Sequence, residues 1–459
     1  MKTTLNTKAV RAGIKFVAGA ISRRTTLPIL SNVHLYANGC FQVTGTDLDI
    51  TLTARLPGTT ASEGKTTIPA KTLCEAVAGG NDIELETDDK NITTIRAGAA
   101  VRKVNGLPAD EFPPEIVMPE SAAKLTLPAD LFIACFKQVC MSQSTDESRY
   151  VLNGVCVEID AEKISFIATN GRCLQTVSMA TWGTPLTPEQ KTAIAAAQKV
   201  LDAANGELKA AQEKFDAALA ANPPTYTPVE VAVFGTLYRK EDHFTVRAAQ
   251  VMLDSEKADV DAARGELSKL NAGRCFIIPS KAVAQIMRLP LDKKTPGTVT
   301  LSDWVVGKEN SPYARIDCGD YSITTKLIEG NYPNYKQVIP GDTKISVPVN
   351  IEDFRAALVI AEKATSEKAN SVKLNFTRHN LEITANSPEI GACNVQVALN
   401  YADKDFVIAF NPRYLIEACE MFEHAGDTMT LNFIDELSPI KITSDTAPVM
   451  GVIMPMRLN

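Results

Sequence analysis

The chain has 459 residues, a formal net charge of −7 and 45% hydrophobic residues, which predicts two to four domains because one ordinary core does not grow this large. It contains no run of eighteen apolar residues, and its polar start, MKTTLNTKAV, lacks a signal-peptide core, so we expect a cytosolic protein without a membrane span. Because the net charge is negative, any contact with nucleic acid must rest on local positive charge.

Ten cysteines are scattered between Cys40 and Cys419, often inside apolar segments such as FIACFKQVC. We interpret them as reduced core residues, since thiols pack as small hydrophobic groups. No CxxC or CxxH pair occurs and the four histidines are far apart, so only an unusual long-range assembly could provide zinc ligands. The sequence therefore predicts no metal and no cofactor.

The first third of the chain opens with a short strand, KTTLN from Lys2, and an amphipathic helix from about Thr7. An alternating strand, a polar turn and a second strand follow from Val33, in VHLYANGCFQVTGTD, which is typical of a hairpin. A second helix follows a strand that ends at Pro69, in TTIPAKTLCEAVAGG. This third therefore consists of strand, helix and hairpin units.

Positive charge is concentrated on the first helix. Lys8, Arg11 and Lys15 have no acidic neighbour before Arg23 and Arg24. The other predicted helices mix charges, which is also typical of ordinary solvated faces. The first helix is thus the clearest local basic surface.

The second third repeats the same units. A strand, KLTLP, starts at Lys124, a helix runs from about Asp130, a hairpin starts at Val155, and another helix follows Pro279. The first strand and the hairpin each lie 122 positions after their counterparts. Equal spacing indicates two copies of one domain in register.

An insertion of about 95 residues interrupts the second copy, from about 183 to 271. Two Ala/Lys/Glu-rich helical runs bracket a Pro-rich, strand-like stretch, PPTYTPVEVAVFGTLYRKEDHFTV, which predicts an antiparallel helical arm. Its start is expected near Thr187–Gln190, where Thr can cap a helix and Pro suits the first turn. The arm follows Leu174 closely in sequence, so we expect it to influence which partners approach, or to be a decoration without effect.

The last third contains a third copy: a strand, KISVP from Lys344, a helix from Ile351, a hairpin from Val372 and a helix after Asn411. The sequence therefore predicts an α+β protein of three repeated domains, at 1–121, 122–341 with the arm at 183–271, and 342–459. Each domain has two strand-helix-hairpin halves, with antiparallel sheets packed on two helices. Sheet edges of successive domains can then join.

Seven motifs, in chain order, resemble those of the bacterial DNA polymerase III β subunit (β sliding clamp) family: TLPILSN at Thr26, TDLDI at Thr46, GLPADEFP at Gly106, SRYVLNGV at Ser148, ATNGRCL at Ala168, EGNYPNYKQVIP at Glu329 and VIMPMRL at Val452. They cover nearly the whole chain except the arm. The resemblance implies the DNA clamp fold and a homodimeric, six-domain ring with outer sheets and inner helices. Such a ring encircles duplex DNA without reading its sequence and tethers a polymerase as a processivity factor.

The resemblance also implies three sets of site residues. Contacts to DNA are implied for Arg24, Lys71 and Tyr150, and the basic face adds Lys8 and Arg11. A pocket between domains 2 and 3, which binds short linear peptides of polymerase and clamp loader, is implied for Leu152, Thr169, Gly171, Arg172, Leu174, Pro333, Val338, Asn411, Tyr414, Val452, Met454, Pro455, Met456, Arg457 and Leu458. Ring closure is implied for Phe112 against a helix end near Ala364 to Lys368.

Three positions depart from the family's pattern. Its usual ATDGHRL is ATNGRCL here, so Asn170, Arg172 and Cys173 replace the usual residues, and Asn459 follows the usual terminal Leu. Peptide preference is therefore expected to differ. The segment EKATSEK is less apolar than an obligate interface usually is, so we expect a weaker or more electrostatic ring.

The sequence bears on two other classes of function. An enzyme needs a nucleophile, an acid–base pair or a phosphate cradle, and the chain has no GxSxG, GxxxxGK[ST] or HExxH. Asp47 and Asp49 imitate a metal pair, but we expect them to shape a turn. The second alternative is a clamp-like paralogue whose arm recruits a specialised partner other than a polymerase.

Overall fold

The computed structural model describes residues 1–21, 25–76, 82–160, 163–180, 199–200, 202–204, 206–214, 216–217, 226–231, 235–240, 252, 255, 274–292, 297–307, 311–341, 343–366, 370–402, 404–423 and 425–457. These residues form two compact units. One unit is made of residues 160–162 and 184–274, and the other contains the rest of the chain. No helix among the described residues is long and apolar enough to cross a membrane.

The described residues of domain 1 form two helices and nine strands. They are β1 Lys2–Asn6, α1 Thr7–Val17, β2 Asn32–Asn38, β3 Cys40–Thr46, β4 Ile50–Leu56, β5 Gly58–Ser62, β6 Gly64–Pro69, α2 Ala70–Ala76, β7 Asp82–Thr87, β8 Ile92–Ala97 and β9 Ala100–Asn105. Helix α1 begins where the Asn6 side chain accepts the backbone N–H groups of Lys8 and Ala9. Its apolar residues Val10, Ile14 and Val17 recur at helical spacing and are all buried.

Domain 2 has the same order of elements with the arm inserted, except that its described residues contain no counterpart of β5. Its elements are β10 Ala123–Pro128, α3 Ala129–Val139, β11 Gly154–Ile159, β12 Lys163–Thr169, β13 Cys173–Ala180, β16 Arg274–Pro279, α4 Ser280–Ile286, β17 Thr298–Val306, β18 Ser311–Cys318 and β19 Tyr321–Lys326. The arm contains β14 Tyr226–Val231 and β15 Gly235–Lys240.

Domain 3 completes the repeat. Its elements are β20 Ile345–Asn350, α5 Ile351–Glu362, β21 Val372–Thr377, β22 Asn380–Ser387, β23 Gly391–Ala398, β24 Phe406–Phe410, α6 Pro412–Phe422, β25 Thr428–Phe433, β26 Ile440–Thr443 and β27 Val449–Ile453. Short 3₁₀ turns lie at Pro28–Ser31, Ala109–Glu111, Cys140–Ser142, Glu147–Leu152 and Tyr335–Val338. The predicted three α+β clamp domains, with antiparallel sheets and two helices each, are confirmed.

Sheets continue across both domain boundaries. One eight-stranded sheet has the order β10-β17-β18-β19-β4-β3-β2-β6, and a second has the order β16-β11-β12-β13-β27-β26-β25-β20. The pairs β19–β4 and β13–β27 are therefore the two junctions between domains, and both are antiparallel. Besides the two-stranded sheet of the arm, two smaller sheets remain, β5-β1-β7-β8-β9 in domain 1 and β23-β22-β21-β24 in domain 3. Each ends on one side at a strand, β9 or β23, with no outer neighbour in the described residues.

One large core lies between the sheets and the helices. In the hairpins, apolar residues alternate with exposed ones, as the burial of Val33, Leu35 and Ala37 on β2 illustrates. Four phenylalanines from domain 2 and domain 3, Phe132, Phe166, Phe376 and Phe433, are among its largest fully buried side chains. The core thus explains why each repeat needs both its hairpins and its helices.

The arm is a unit of its own. Residues 206–214 are helical, and β14 pairs with β15 as an antiparallel hairpin from Tyr226↔Lys240 to Val231↔Gly235. The strand-like tip predicted from the sequence is thereby confirmed. The predicted start at Thr187–Gln190 and nearly all of the second helical run lie outside the described residues.

Candidate partner-binding groove

A small apolar cluster, separate from the large core, lies where domain 2 meets domain 3. Its five buried side chains come from five neighbouring strands and are Cys156, Ile167, Leu174, Ile277 and Val452. Cys156 lies opposite Ile167, and Leu174 lies opposite Val452 across the domain boundary. We call this row of side chains the junction cluster.

A loop of residues 328–339 covers one side of the junction cluster. Ile328 donates its backbone N–H to Ile277 O at 3.0 Å, and the partly buried Tyr332 and Tyr335 pack on the cluster. The Tyr335 hydroxyl donates to Glu158 Oε2 at 2.9 Å. Burial and the adjacent Glu158 carboxylate both raise the pKa of Tyr335, so its phenol remains a neutral donor.

The turn between β12 and β13 borders the cluster and is held by local hydrogen bonds. Thr169 Oγ1 donates to Cys173 O at 2.7 Å, and Asn170 Oδ1 accepts the backbone N–H groups of Arg172 and Cys173, each at 2.9 Å. Gly171 has a φ of 82°, in the left-handed region that favours glycine. Because Asn170 supplies the acceptor oxygen here, the turn forms without an acidic residue at this position.

Cys173, another position that departs from the family's pattern, points into the core. It is buried beside Ser142, and burial raises the pKa of its thiol to about 12. The thiol is therefore protonated and unreactive at neutral pH. Arg172 is exposed, so its guanidinium group is available to a ligand.

The C-terminal residues 454–457 lie on a further side of the junction cluster. We call the surface formed by these residues, the covering loop and the turn between β12 and β13 the groove. Met454 donates its N–H to Arg172 O at 2.9 Å, and Met456 donates to Ala409 O at 2.7 Å. The Met454 and Met456 side chains are 44% and 40% exposed, whereas Val452 is buried. The run is therefore both a final strand, Val449–Ile453, and an exposed methionine edge tied to the sheet. Flexible thioethers can repack around different ligands.

The predicted pocket residues are brought together to different degrees. Leu174 and Val452 belong to the junction cluster, and Leu152 is buried next to Val151, which packs on it. Pro333 and Val338 lie in the covering loop, where Val338 is half exposed. Asn411 caps α6 by accepting Arg413 N–H, and Tyr414 is on its first turn. Pro455 and Arg457 follow the final strand, and Leu458 lies outside the described residues.

Models of the three domains of one family match this chain. The N-terminal domain of the DNA polymerase III β subunit matches residues 1–118, the central domain residues 126–232 and the C-terminal domain residues 336–457. The chain belongs to the DNA polymerase III β subunit family.

Curated and solved relatives match this chain over its full length. Proteins named beta sliding clamp from Proteus mirabilis and Escherichia coli K12 are 24% and 23% identical over 100% of both chains. The sliding clamp structure from Bacillus subtilis has a TM-score of 0.75 at 21% identity, again over 100% of both chains. The clamp from Bartonella birtlesii, solved bound to griselimycin, has a TM-score of 0.73 at 24% identity, with 100% of each chain covered.

Two of the residues expected to contact DNA share the exposed face of α1. Lys8 and Arg11 point to solvent together with Lys15, and no acidic residue lies on that helix. Lys71 is exposed at the start of α2. Tyr150 is 59% exposed and lies beside Gly330 of the covering loop, at the edge of the groove. Arg24 lies outside the described residues.

The residues expected at the ring interface lie in different surroundings. The Phe112 ring stacks on His34 within its own chain, with centroids 5.2 Å apart. Burial, and secondarily the Lys65 charge, lowers the pKa of His34. Ala364 packs at the edge of the core just after α5, and Lys368 lies outside the described residues.

Two further expectations from the sequence concern acidic residues and cysteines. Asp47 Oδ1 accepts the N–H groups of Asp49 and Ile50, so this acidic pair shapes a turn, as expected. All ten cysteines are free, but Cys40, Cys74 and Cys275 are exposed, so the expectation that every cysteine is in the core was wrong for these three. Cys156, Glu158 and Cys275 converge, although Cys275 is 119 positions from Cys156. Residue spacing contains no signal for such an assembly.

Proposed function

We propose that this chain is a sliding clamp that keeps a replicative DNA polymerase on duplex DNA, and that it works as a homodimeric ring in the cytoplasm without catalysing a reaction. The observation that carries this proposal is the repeated junction between domains. Strand β19 pairs with β4 and β27 with β13, while the equivalent strands β9 and β23 are open edges. Pairing β9 of one copy with β23 of another would close two chains into a six-domain ring.

The equivalence of β9 with β19 and β27 has an internal check. Isolated bridges join Leu107 to Thr67, Ile328 to Ile277 and Met456 to Ala409. Leu107, Ile328 and Met456 each lie seven positions after the first residue of β9, β19 or β27. These first residues are Ala100, Tyr321 and Val449. The three strands therefore superpose residue by residue.

The partner strands align in the same way. Val43 is opposite Ala54, Phe166 opposite Val177 and Ile383 opposite Val395. These pairs lead to equivalence of Ala54, Val177 and Val395. At the internal junctions, Ala54 is opposite Tyr321 and Val177 is opposite Val449.

The internal junctions thus specify a register for ring closure. Ala100 of one copy lies opposite Val395 of the next, and Arg102 lies opposite Cys393. The pair at the first junction that is equivalent to Arg102 and Cys393 is Ile323 and Leu52. Lys326 N–H donates to Asp49 O, and Arg55 N–H donates to Asp320 O. Since hydrogen-bonded pairs alternate along antiparallel strands, Ile323 and Leu52 form a non-hydrogen-bonded pair. In such non-hydrogen-bonded pairs the side chains are closest.

Helices support the same closure. Phe16, Gln138 and Ile360 are each the tenth residue of α1, α3 and α5. Phe16 packs edge-on against Tyr321 of the next domain at 5.0 Å, and Gln138 donates to Met421 O of the next domain at 3.4 Å. Both are less than 10% exposed, but Ile360 is 52% exposed. A second copy that covers Ile360 would make the third position like the other two.

DNA contact in this proposal comes chiefly from α1. Its face of Lys8, Arg11 and Lys15 offers local positive charge in a chain of net charge −7. The exposed faces of α5 and α6 are more acidic, and there Arg355 is paired with Glu420 at 2.9 Å and Glu423 at 3.5 Å. Contacts between lysine or arginine and phosphate are independent of sequence, as sliding requires.

A topological assay tests the ring. Linear DNA is incubated with the protein, its ends are ligated, and the circle is passed over a gel-filtration column in high salt. We expect the protein to stay with the closed circle and to leave after one restriction cut. Equal retention on linear DNA, or a monomeric native mass, would contradict the proposal.

The groove is proposed to bind short apolar segments of the polymerase and of the clamp loader. Its support is the set of exposed apolar side chains Met454, Met456 and Val338, which lie beside the buried junction cluster and can receive the apolar anchors of a peptide. Griselimycin, the ligand of the Bartonella clamp, is a practical probe. We expect Val338→Asp and Met456→Asp each to weaken griselimycin binding at least tenfold by calorimetry, because a charge replaces an apolar contact. Leu437→Asp, on an exposed turn of domain 3, is the matched control.

A further inference from the structure

Two cysteines and a glutamate meet beside the junction cluster. The Sγ atoms of Cys156 and Cys275 are 3.4 Å apart, and one carboxylate oxygen of Glu158 lies within 4.8 Å of both. Cys156 is buried on β11, Cys275 is exposed on the neighbouring strand β16, and Glu158 lies two residues after Cys156 on the same face. The set therefore has one buried and one accessible sulfur.

From this geometry we propose that Cys156, Cys275 and Glu158 form a site for a thiophilic divalent cation such as Zn²⁺. Two thiolates and a carboxylate are ligands that zinc prefers, and three protein ligands leave the fourth tetrahedral position for water. At Zn–S distances of about 2.3 Å the two sulfurs sit roughly 3.8 Å apart, so they need to separate by only a few tenths of an ångström. On binding, each thiol releases its proton to solvent and both sulfurs bond to the metal.

The surroundings provide room and a polar partner. A depression of about 360 Å³ borders Glu158 and Cys275 and is lined by Tyr332, Tyr335 and Lys336. The Tyr332 hydroxyl is buried there, so a water on the metal would have a polar neighbour.

The site would be coupled to the groove through Glu158, and this part rests on the proposed function. Glu158 accepts the Tyr335 hydroxyl at 2.9 Å and faces Lys336 Nζ at 3.7 Å, both from the covering loop. When the Glu158 carboxylate ligates a metal it shares its negative charge with the ion, so both contacts are expected to weaken. The same loop carries Pro333 and Val338, so an occupied site is expected to change the affinity of the groove.

Cobalt titration of the reduced, metal-free full-length protein tests the site. We expect one Co²⁺ per chain with a thiolate-to-cobalt charge-transfer band and tetrahedral d–d bands, displaced by Zn²⁺. Cys275→Ser should either abolish the charge-transfer band or halve its intensity, and in the second case Co²⁺ should bind at least tenfold more weakly. Glu158→Gln should weaken Co²⁺ binding about tenfold. Cys74→Ser, at an exposed cysteine elsewhere, should bind like the wild type.

Several outcomes would overturn the site. They are the absence of a charge-transfer band, an unchanged band in Cys275→Ser, or a two-hydrogen mass loss showing that the cysteines only form a disulfide. Because Cys275 is exposed, its variant is expected to fold even if Cys156→Ser does not. These measurements need neither DNA nor a partner, so they stand apart from the clamp proposal. The coupling is tested with griselimycin: Zn²⁺ should shift its affinity at least threefold in the wild type and not in Cys275→Ser, and no shift in the wild type would refute it.

Discussion

The two internal junctions and the two open edges are formed by equivalent strands and helices, but they differ in strand pairing and in the burial of the tenth helical residue. At the junctions, β19–β4 and β13–β27 are paired, and the tenth helical residues Phe16 and Gln138 are buried. At the ends, β9 and β23 have no outer neighbour within the described part of the chain, and Ile360 is half exposed. An unpaired edge strand invites association. The comparison teaches that one chain stops one junction short of a repeating pattern, and that a second copy can supply the missing contacts.

The largest expected effect is at an internal junction. Phe16→Ala removes a ring that packs at 5.0 Å from Tyr321 of the next domain. We expect the free energy of unfolding to fall by about 3 kcal/mol, as for other large-to-small changes in a core. Urea unfolding of the purified variant measures this value. Phe16→Leu is the control and should cost less than about 1.5 kcal/mol, because most of the volume remains. Equal losses in both variants would show that the junction does not depend on filling this space.

The equivalent position at the open end should behave differently. Ile360→Asp is expected to weaken dimerisation at least a hundredfold, about 2.7 kcal/mol, because a charge would be buried at the new junction. The unfolding free energy of the monomer should change by less than about 0.5 kcal/mol, since the side chain is exposed there.

Sedimentation over a range of concentrations measures the dimer constant. Leu437→Asp, 81% exposed and distant in sequence from β9 and β23, should leave this constant unchanged. If Ile360→Asp dimerises like the wild type, the face of α5 that carries Ile360 is not part of the dimer interface.

The repeats were predictable from the sequence because their signals are local. Alternation in VHLYANGCFQVTGTD and the amphipathic pattern from Thr7 depend on neighbouring residues, and the structure has both elements there. The pairing of Leu174 with Val452 joins residues far apart in sequence, so only the resemblance placed them in one groove. The meeting of Cys156 with Cys275 had no signal, because it depends on β16 returning beside β11 after the arm.

The smallest effect concerns a buried carboxyl group at the second junction. Gln175 of β13 donates to the Glu417 carbonyl of α6 at 3.4 Å, and the Glu417 side chain is almost fully buried. Burial raises the pKa of Glu417, although Arg413 acts in the opposite direction. A raised pKa in the folded state means that Glu417 contributes most below its unfolded value of 4.5 and loses that contribution as pH rises.

Glu417→Gln should therefore be slightly more stable than the wild type at pH 8, and the difference should vanish near pH 4. Thermal unfolding at both values measures it. A variant that is less stable than the wild type at pH 8 would mean that the ion pair with Arg413, at 2.9 Å, outweighs desolvation.

The most direct measurement is a cross-link at the predicted third junction. Arg102→Cys is made with the exposed Cys40, Cys74 and Cys275 replaced by serine, so that native Cys393 is its expected partner. Opposed residues on antiparallel strands lie within the Cα separation that a disulfide spans. Mild oxidation should give a covalent dimer from Arg102→Cys, and none from Arg102→Cys with Cys393→Ser or from Val101→Cys, whose side chain points to the other face. A dimer that forms equally from Val101→Cys, or a native dimer that never cross-links through Cys393, would contradict closure by repetition of the internal junctions.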